Sequence, residues 1–274
     1  MESVHELKAS LPIRHDLMLV YVLSLIIAVL MTVASVTGLV LNADVYPNQD
    51  LSNAFVPNDL INLSIGLPLL LLTMWLARRG KLVGLLCWPG ALLFILYNYI
   101  AYVFAVPLSA IFLIHLALVA LCLYTVILLC VSISADKVQH LLRAAVPAGL
   151  ASYILAPLGI IFFVRAVVVI IGALNAQPAV TESELAVNVA DFLITPAWVI
   201  GGILLWMKKP FGYVAGLGLL FQASMLFVSL ILYMLIQPIL TSVPLVMMDV
   251  VVVFAMGLIC FVPFVFYARG VMMK

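Results

Sequence analysis

Apolar residues run almost unbroken over eight stretches of this chain, near 17–41, 59–77, 82–104, 109–133, 151–174, 185–206, 213–236 and 246–268, and the charged residues gather between them. A helix rises about 1.5 Å per residue, so about 20 apolar residues cross the ~30 Å hydrocarbon core of a bilayer. Each stretch therefore predicts one transmembrane helix, and the chain reads as an all-α, polytopic membrane protein. The first apolar run follows a polar leader and is longer than the roughly 7–15-residue core of a secretory signal, so it is expected to be a retained helix. The leader, residues 1–16, mixes Glu2, Glu6, Lys8, Arg14 and Asp16 with Val4, Leu7, Leu11 and Ile13, and is expected to lie on the membrane surface. The longest polar connection, 42–58, leaves no segment for a separate soluble domain.

Composition agrees with the pattern: 67% of the 274 residues are hydrophobic and 8% are charged. The basic residues then add an orientation. Lys8 and Arg14 precede the first helix, Arg78, Arg79 and Lys81 fall between the second and third, and Lys137 and Arg143 between the fourth and fifth. Lys208 and Lys209 fall between the sixth and seventh, and Arg269 and Lys274 follow the eighth. All lie on one side of an eight-helix bundle, so the positive-inside rule predicts cytoplasmic N- and C-termini. The other side carries Asp44, Asp50, Glu182 and Glu184. A net charge of +1 gives no basis for nucleic-acid binding. Cys87, Cys122, Cys130 and Cys260 all fall inside apolar runs with no metal-ligand spacing, and are expected to be structural thiols.

Compared with itself at half its length, the chain shows matches at offsets of 130 to 133. Asp59 answers Asp191, Trp75 answers Trp206, Arg78-Arg79 answers Lys208-Lys209, and the Gly80/Gly84 pair answers Gly212/Gly216. A four-plus-four duplication with an even number of helices in each half predicts two parallel repeats related by an axis along the membrane normal. The expected units are an interfacial N-terminus (1–16), a first four-helix repeat (17–133), an amphipathic cytoplasmic connection (134–150), a second repeat (151–268) and a cytoplasmic C-terminus (269–274). The segments "MWLARRGKLVGLLCWPGALLFILYNYIAY" and "GGILLWMKKPFGYVAGLGLLFQASMLF" resemble parts of uncharacterised prokaryotic multipass membrane proteins, over nearly the whole chain. The resemblance implies a bacterial or archaeal cell membrane and brings no activity or functional residue with it.

The remaining basic residue, Arg165, lies in the middle of "GIIFFVRAVVVIIGAL". An unpaired guanidinium at membrane depth costs from ~2.5 to more than 10 kcal/mol, so a partner or a wet cavity is required. Asp191, across a short hairpin, is the expected partner. Asn98, His115, Asp249, Asp59 and Asn62 fall with them in the half away from the termini, which predicts a polar vestibule there and a dry, tightly packed half on the other side. Tyr99 and Tyr102 are expected to belong to an interfacial aromatic belt. Neither GxSxG nor HExxH occurs, and the carboxylates and histidines show no reacting set at helical spacing, so no catalytic, metal or cofactor site is predicted. The expected role is transport or binding of a small anionic solute or lipid headgroup. The alternatives are a non-catalytic subunit or assembly factor of a larger membrane complex, as a homo-oligomer or with other chains, and an intramembrane lipid-modifying enzyme.

Overall fold

The computed structural model describes residues 11–175 and 180–274, and within them eight helices are long and apolar enough to cross a membrane. They are α1 (Met18–Val40), α2 (Gln49–Arg78), α3 (Leu82–Ala105), α4 (Ala110–Ser132), α5 (Ala148–Leu174), α6 (Glu182–Trp206), α7 (Pro210–Leu240) and α8 (Met247–Met272). The chain is an integral, multi-pass membrane protein. Its successive spans alternate direction, which brings the loops and ends that carry Arg14, Arg78, Arg79, Lys81, Lys137, Arg143, Lys208, Lys209 and Arg269 to one end of the bundle, hereafter the basic face. Asp44, Asp50, Glu182, Glu184 and Asp249 mark the opposite, acidic face.

The second span starts ten residues earlier than the apolar run suggests. Asn48 accepts the Leu51 N–H through its side chain, a regular N-cap, and the new segment buries Leu51, Phe55, Pro57, Asp59 and Ile61. The expected long connection 42–58 is thus mostly helix, and Asp59 lies well inside the span rather than at its head. A π-helical segment over Asn62–Gly66 interrupts the helix just before Pro68. Proline has no N–H and its ring collides with the carbonyl four residues back, and the widened turn relieves both.

Helix α3 is the most buried span and lies at the centre, against α2, α4, α6 and α7. Within residues 18–132, α1 meets α2 and α4, and α3 meets α2 and α4; within 148–272, α5 meets α6 and α8, α7 meets α6 and α8, and α5 also touches α7. The α2–α3 and α6–α7 turns also share one hydrogen-bond pattern. Arg79, Gly80 and Lys81 N–H groups bond the carbonyls of Trp75, Ala77 and Leu76; Met207, Lys208 and Lys209 bond those of Ile203, Leu205 and Leu204. Both are Schellman caps whose left-handed position is Gly80 (φ 73°) in one and Lys208 (φ 54°) in the other. The turns therefore correspond at an offset of 128, a few residues from the sequence matches, so Gly84 falls on Gly212 and Gly90 on Gly218. Gly90 and Gly218 touch each other where α3 crosses α7, and a side chain on Gly90 would strike the Gly218 carbonyl.

Residues 11–14 are tied to the end of α4: Arg14 N–H bonds the Ser132 carbonyl, Ser134 N–H bonds the Pro12 carbonyl, and Ile13 bridges Ile133. The rest of the expected interfacial leader, residues 1–10, lies outside the described residues. In the 134–150 connection, Ala135–Leu142 forms a short helix that buries Val138 and Leu142, and Gln139 donates to the Lys208 carbonyl at 2.6 Å.

Candidate functional site

A cavity of about 360 Å³ lies between the two halves, toward the acidic face, walled by α2, α3, α5, α6 and α7. Its polar wall includes Arg165, Asp191, Tyr97, Asn98, Asn58 and Asn188, and its apolar wall includes Phe162, Trp198, Leu226, Phe227 and Leu230.

Arg165 finds the partner expected from the sequence. Its Nη1 approaches Asp191 Oδ2 at 3.5 Å, while the Tyr97 hydroxyl donates to Asp191 Oδ1 at 3.0 Å. Helix α6 begins at Glu182, so Asp191 lies nine residues below its end, level with Arg165 nine residues below the end of α5. Each is therefore ~14 Å along its helix. The pair is unequal: the Asp191 side chain is 6% exposed and that of Arg165 51%. Asp191 is its one side-chain partner among the described residues, which leaves most guanidinium N–H groups available in or beside the cavity. Asn188, one turn before Asp191, is buried and gives its amide N–H to the Glu184 carbonyl, while its Oδ1 accepts no hydrogen bond among the described residues.

Deeper in the wall, Trp198 Nε1 donates to Gln222 Oε1 at 3.0 Å, and Gln222 Nε2 donates to the Leu93 carbonyl at 3.2 Å. This chain joins α6, α7 and α3 below the cavity. Above it, Asp50 accepts both the N–H and the hydroxyl of Ser183, at 3.0 and 2.8 Å, and Asn48 donates to Glu182 at 3.0 Å. Asp50 thus caps the N-terminus of α6 from α2. The clamp holds the acidic-face ends of the two halves together.

Asp59, Asn62 and His115 form a separate cluster inside the first half. The hydroxyls of Tyr46 and Tyr102 donate to the two Asp59 oxygens at 2.6 and 2.8 Å, and the carboxylate packs where Gly38 has no side chain. Tyr46 sits between spans, and burial together with the nearby carboxylate pushes its phenol well above the ordinary range, so it remains a donor. Asn62 and Asn58 both donate to the Tyr102 hydroxyl, at 3.4 and 3.3 Å. His115 packs on Tyr102 and Tyr99 with ring centroids 4.8 and 5.6 Å apart. Tyr99 and Tyr102 are both fully buried, which corrects their expected place in an interfacial belt.

Of the seven residues singled out from the sequence, Arg165, Asp191 and Asn98 meet at the cavity, and Asp59, Asn62 and His115 meet behind it. Asp249 joins neither group: it lies exposed in the first turn of α8. Tyr97, Asn188, Trp198 and Gln222 are not among the seven. A signal for part of this was present, since Asp59-Leu-Ile-Asn62 and Asn188-Val-Ala-Asp191 place the same two polar residues one turn apart in opposite order. Among the described residues no group of three or more His, Cys, Asp or Glu could hold a metal ion. No protein-family model matches this chain, and neither a curated protein nor a solved structure is similar to it.

Proposed function

We propose that this protein binds, and carries across the membrane, a small solute or lipid headgroup at the cavity between its halves. The observation that carries the reading is Arg165: a half-exposed guanidinium at membrane depth, held at one edge by buried Asp191, on the wall of a cavity large enough for a small molecule. A lock between two helices would need no cavity. The repeated turn geometry and the largely matching neighbour sets support two parallel four-helix repeats, and the interface between repeats is where transporters of this kind place their sites. The segregation of basic residues supports cytoplasmic termini, and the resemblance noted above supports a prokaryotic cell membrane.

The test is access. Val187 lines the cavity, and Val187→Cys should react with a membrane-impermeant thiol reagent applied at the acidic face of the protein in sealed vesicles. Reaction from that face alone describes a binding protein, and reaction from both faces in turn describes a transporter. A cysteine that reacts from neither face would mean a dry, closed interior and would sink the reading. That result would favour a non-catalytic subunit of a membrane complex, which the exposed acidic-face half of α8 would also suit.

A further inference from the structure

The two halves are packed very differently toward the acidic face. In the first half, burial continues along α1 to Gly38, along α3 to Tyr102 and up α4 to Ile111. In the second half α6 stays buried up to Ala186, but on α5, α7 and α8 burial stops early. Beyond Gly159 the only buried residue of α5 is Ala166, α7 has none beyond Ser229, and α8 has none before Gly257. What these helix ends expose instead is apolar, including Val164, Val168, Leu230, Leu235, Val251 and Phe254. Phe162 and Phe227, whose ring centroids are 6.0 Å apart, stand where this open side reaches the cavity. Arg165 belongs to both environments: it lines the cavity, and it lies on α5 among the exposed residues Ile161, Val164 and Val168.

We propose that the ligand is an anionic phospholipid, which reaches the cavity sideways from the acidic-face leaflet through the opening flanked by α5, α7 and α8. The inference rests on the cavity being a binding site, as argued above, and adds the class of ligand and its route. The phosphate sits against the free N–H groups of Arg165, where a charge-assisted, bidentate contact is available. A hydroxyl of the headgroup donates to Asn188 Oδ1, a buried acceptor without a partner among the described residues. The acyl chains stay in the apolar opening, covering side chains that no other described residue covers. A water-soluble anion satisfies Arg165 but leaves this apolar flank unexplained. A second copy of the chain would cover the flank as well, an outcome that native mass spectrometry separates from lipid binding.

The experiment compares thermal unfolding of the detergent-solubilised protein with added phosphatidylglycerol, phosphatidylcholine or soluble glycerol phosphate. Phosphatidylglycerol should give a saturable rise in Tm of roughly 5 °C at a hundredfold excess over Kd, and the other two should give little. The rise should vanish in the charge-free double variant Arg165→Met with Asp191→Leu. It should also shrink in Leu230→Trp, which narrows the opening without touching the polar wall. Equal responses to the two lipids would overturn the role of Arg165. If glycerol phosphate protects as well as the lipid and Leu230→Trp changes nothing, the sideways route and lipid class are wrong, while the cavity remains a binding site. No response to any probe, together with a dimer by native mass spectrometry, would overturn both readings.

Discussion

Arg165 and Asp191 allow a quantitative test, because the two partners are buried to different degrees. Removing one partner of a buried ion pair typically costs ~3–5 kcal/mol, since a charge is left without compensation. Arg165→Met leaves the Asp191 carboxylate 6% exposed with the Tyr97 hydroxyl as its remaining side-chain donor. The guanidinium reaches the carboxylate through a single approach at 3.5 Å, so the expected destabilisation is at the low end, about 3 kcal/mol. Asp191→Leu removes the buried charge itself. It strands a guanidinium that is half exposed on a flexible stem, and it orphans the Tyr97 hydroxyl, for about 1–2 kcal/mol. The double variant should cost less than the sum of the singles by ~1–3 kcal/mol. Thermal unfolding in detergent, read by circular dichroism at roughly 2–4 °C per kcal/mol, resolves these differences. Destabilisations that add within ~0.5 kcal/mol would refute the pairing, and a larger effect for Asp191→Leu than for Arg165→Met would refute the argument from burial.

The cluster behind the cavity gives a second expectation. Tyr102→Phe removes a 2.8 Å donor from buried Asp59 and should cost about 1–3 kcal/mol, whereas Tyr99→Phe, whose hydroxyl makes only contacts of 3.3 and 3.4 Å, should cost under ~1 kcal/mol; equal effects would count against Asp59 as the organising group. At the crossing of α3 and α7, Gly90→Ala drives a methyl into the Gly218 carbonyl and should lower stability by ~3 kcal/mol, the upper end for overpacking, because backbone cannot rotate aside. Gly149→Ala, with no atom nearer than the Tyr153 ring at 4.0 Å, should be neutral or gain up to ~1 kcal/mol; a harmless Gly90→Ala would mean that the helices do not cross there. Cysteines at exposed Asn48 and Thr181 should react with an impermeant thiol reagent in intact cells while those at Arg79 and Lys209 do not, and the reverse pattern would invert the proposed orientation.

Much of this architecture follows from the sequence because the bilayer imposes a simple rule on it. A span must be long, apolar and helical, so the existence and order of the eight helices can be read from runs of hydrophobic residues alone. Charge sorting works for the same reason, as a loop's side is settled by parity. The partner of Arg165 could also be anticipated, because α5 and α6 form one hairpin and few acids lie at the right depth. The start of α2 escaped that reasoning, since a polar stretch such as "NQDLSNAFVPND" carries no apolar run: the Asn48 cap opens the helix, and burial of Leu51 and Phe55 against other helices holds it. The register of the turns was likewise hidden. Lys208 occupies the left-handed position that Gly80 holds, and a backbone conformation shared by unlike residues leaves no mark in a letter-by-letter match. Tyr97 and Tyr102 read identically along the chain, yet one donates to Asp191 in the second half and the other to Asp59 in the first. Five residues on a helix turn two side chains to different faces, so which carboxylate each meets is decided only by the neighbours packed around α3.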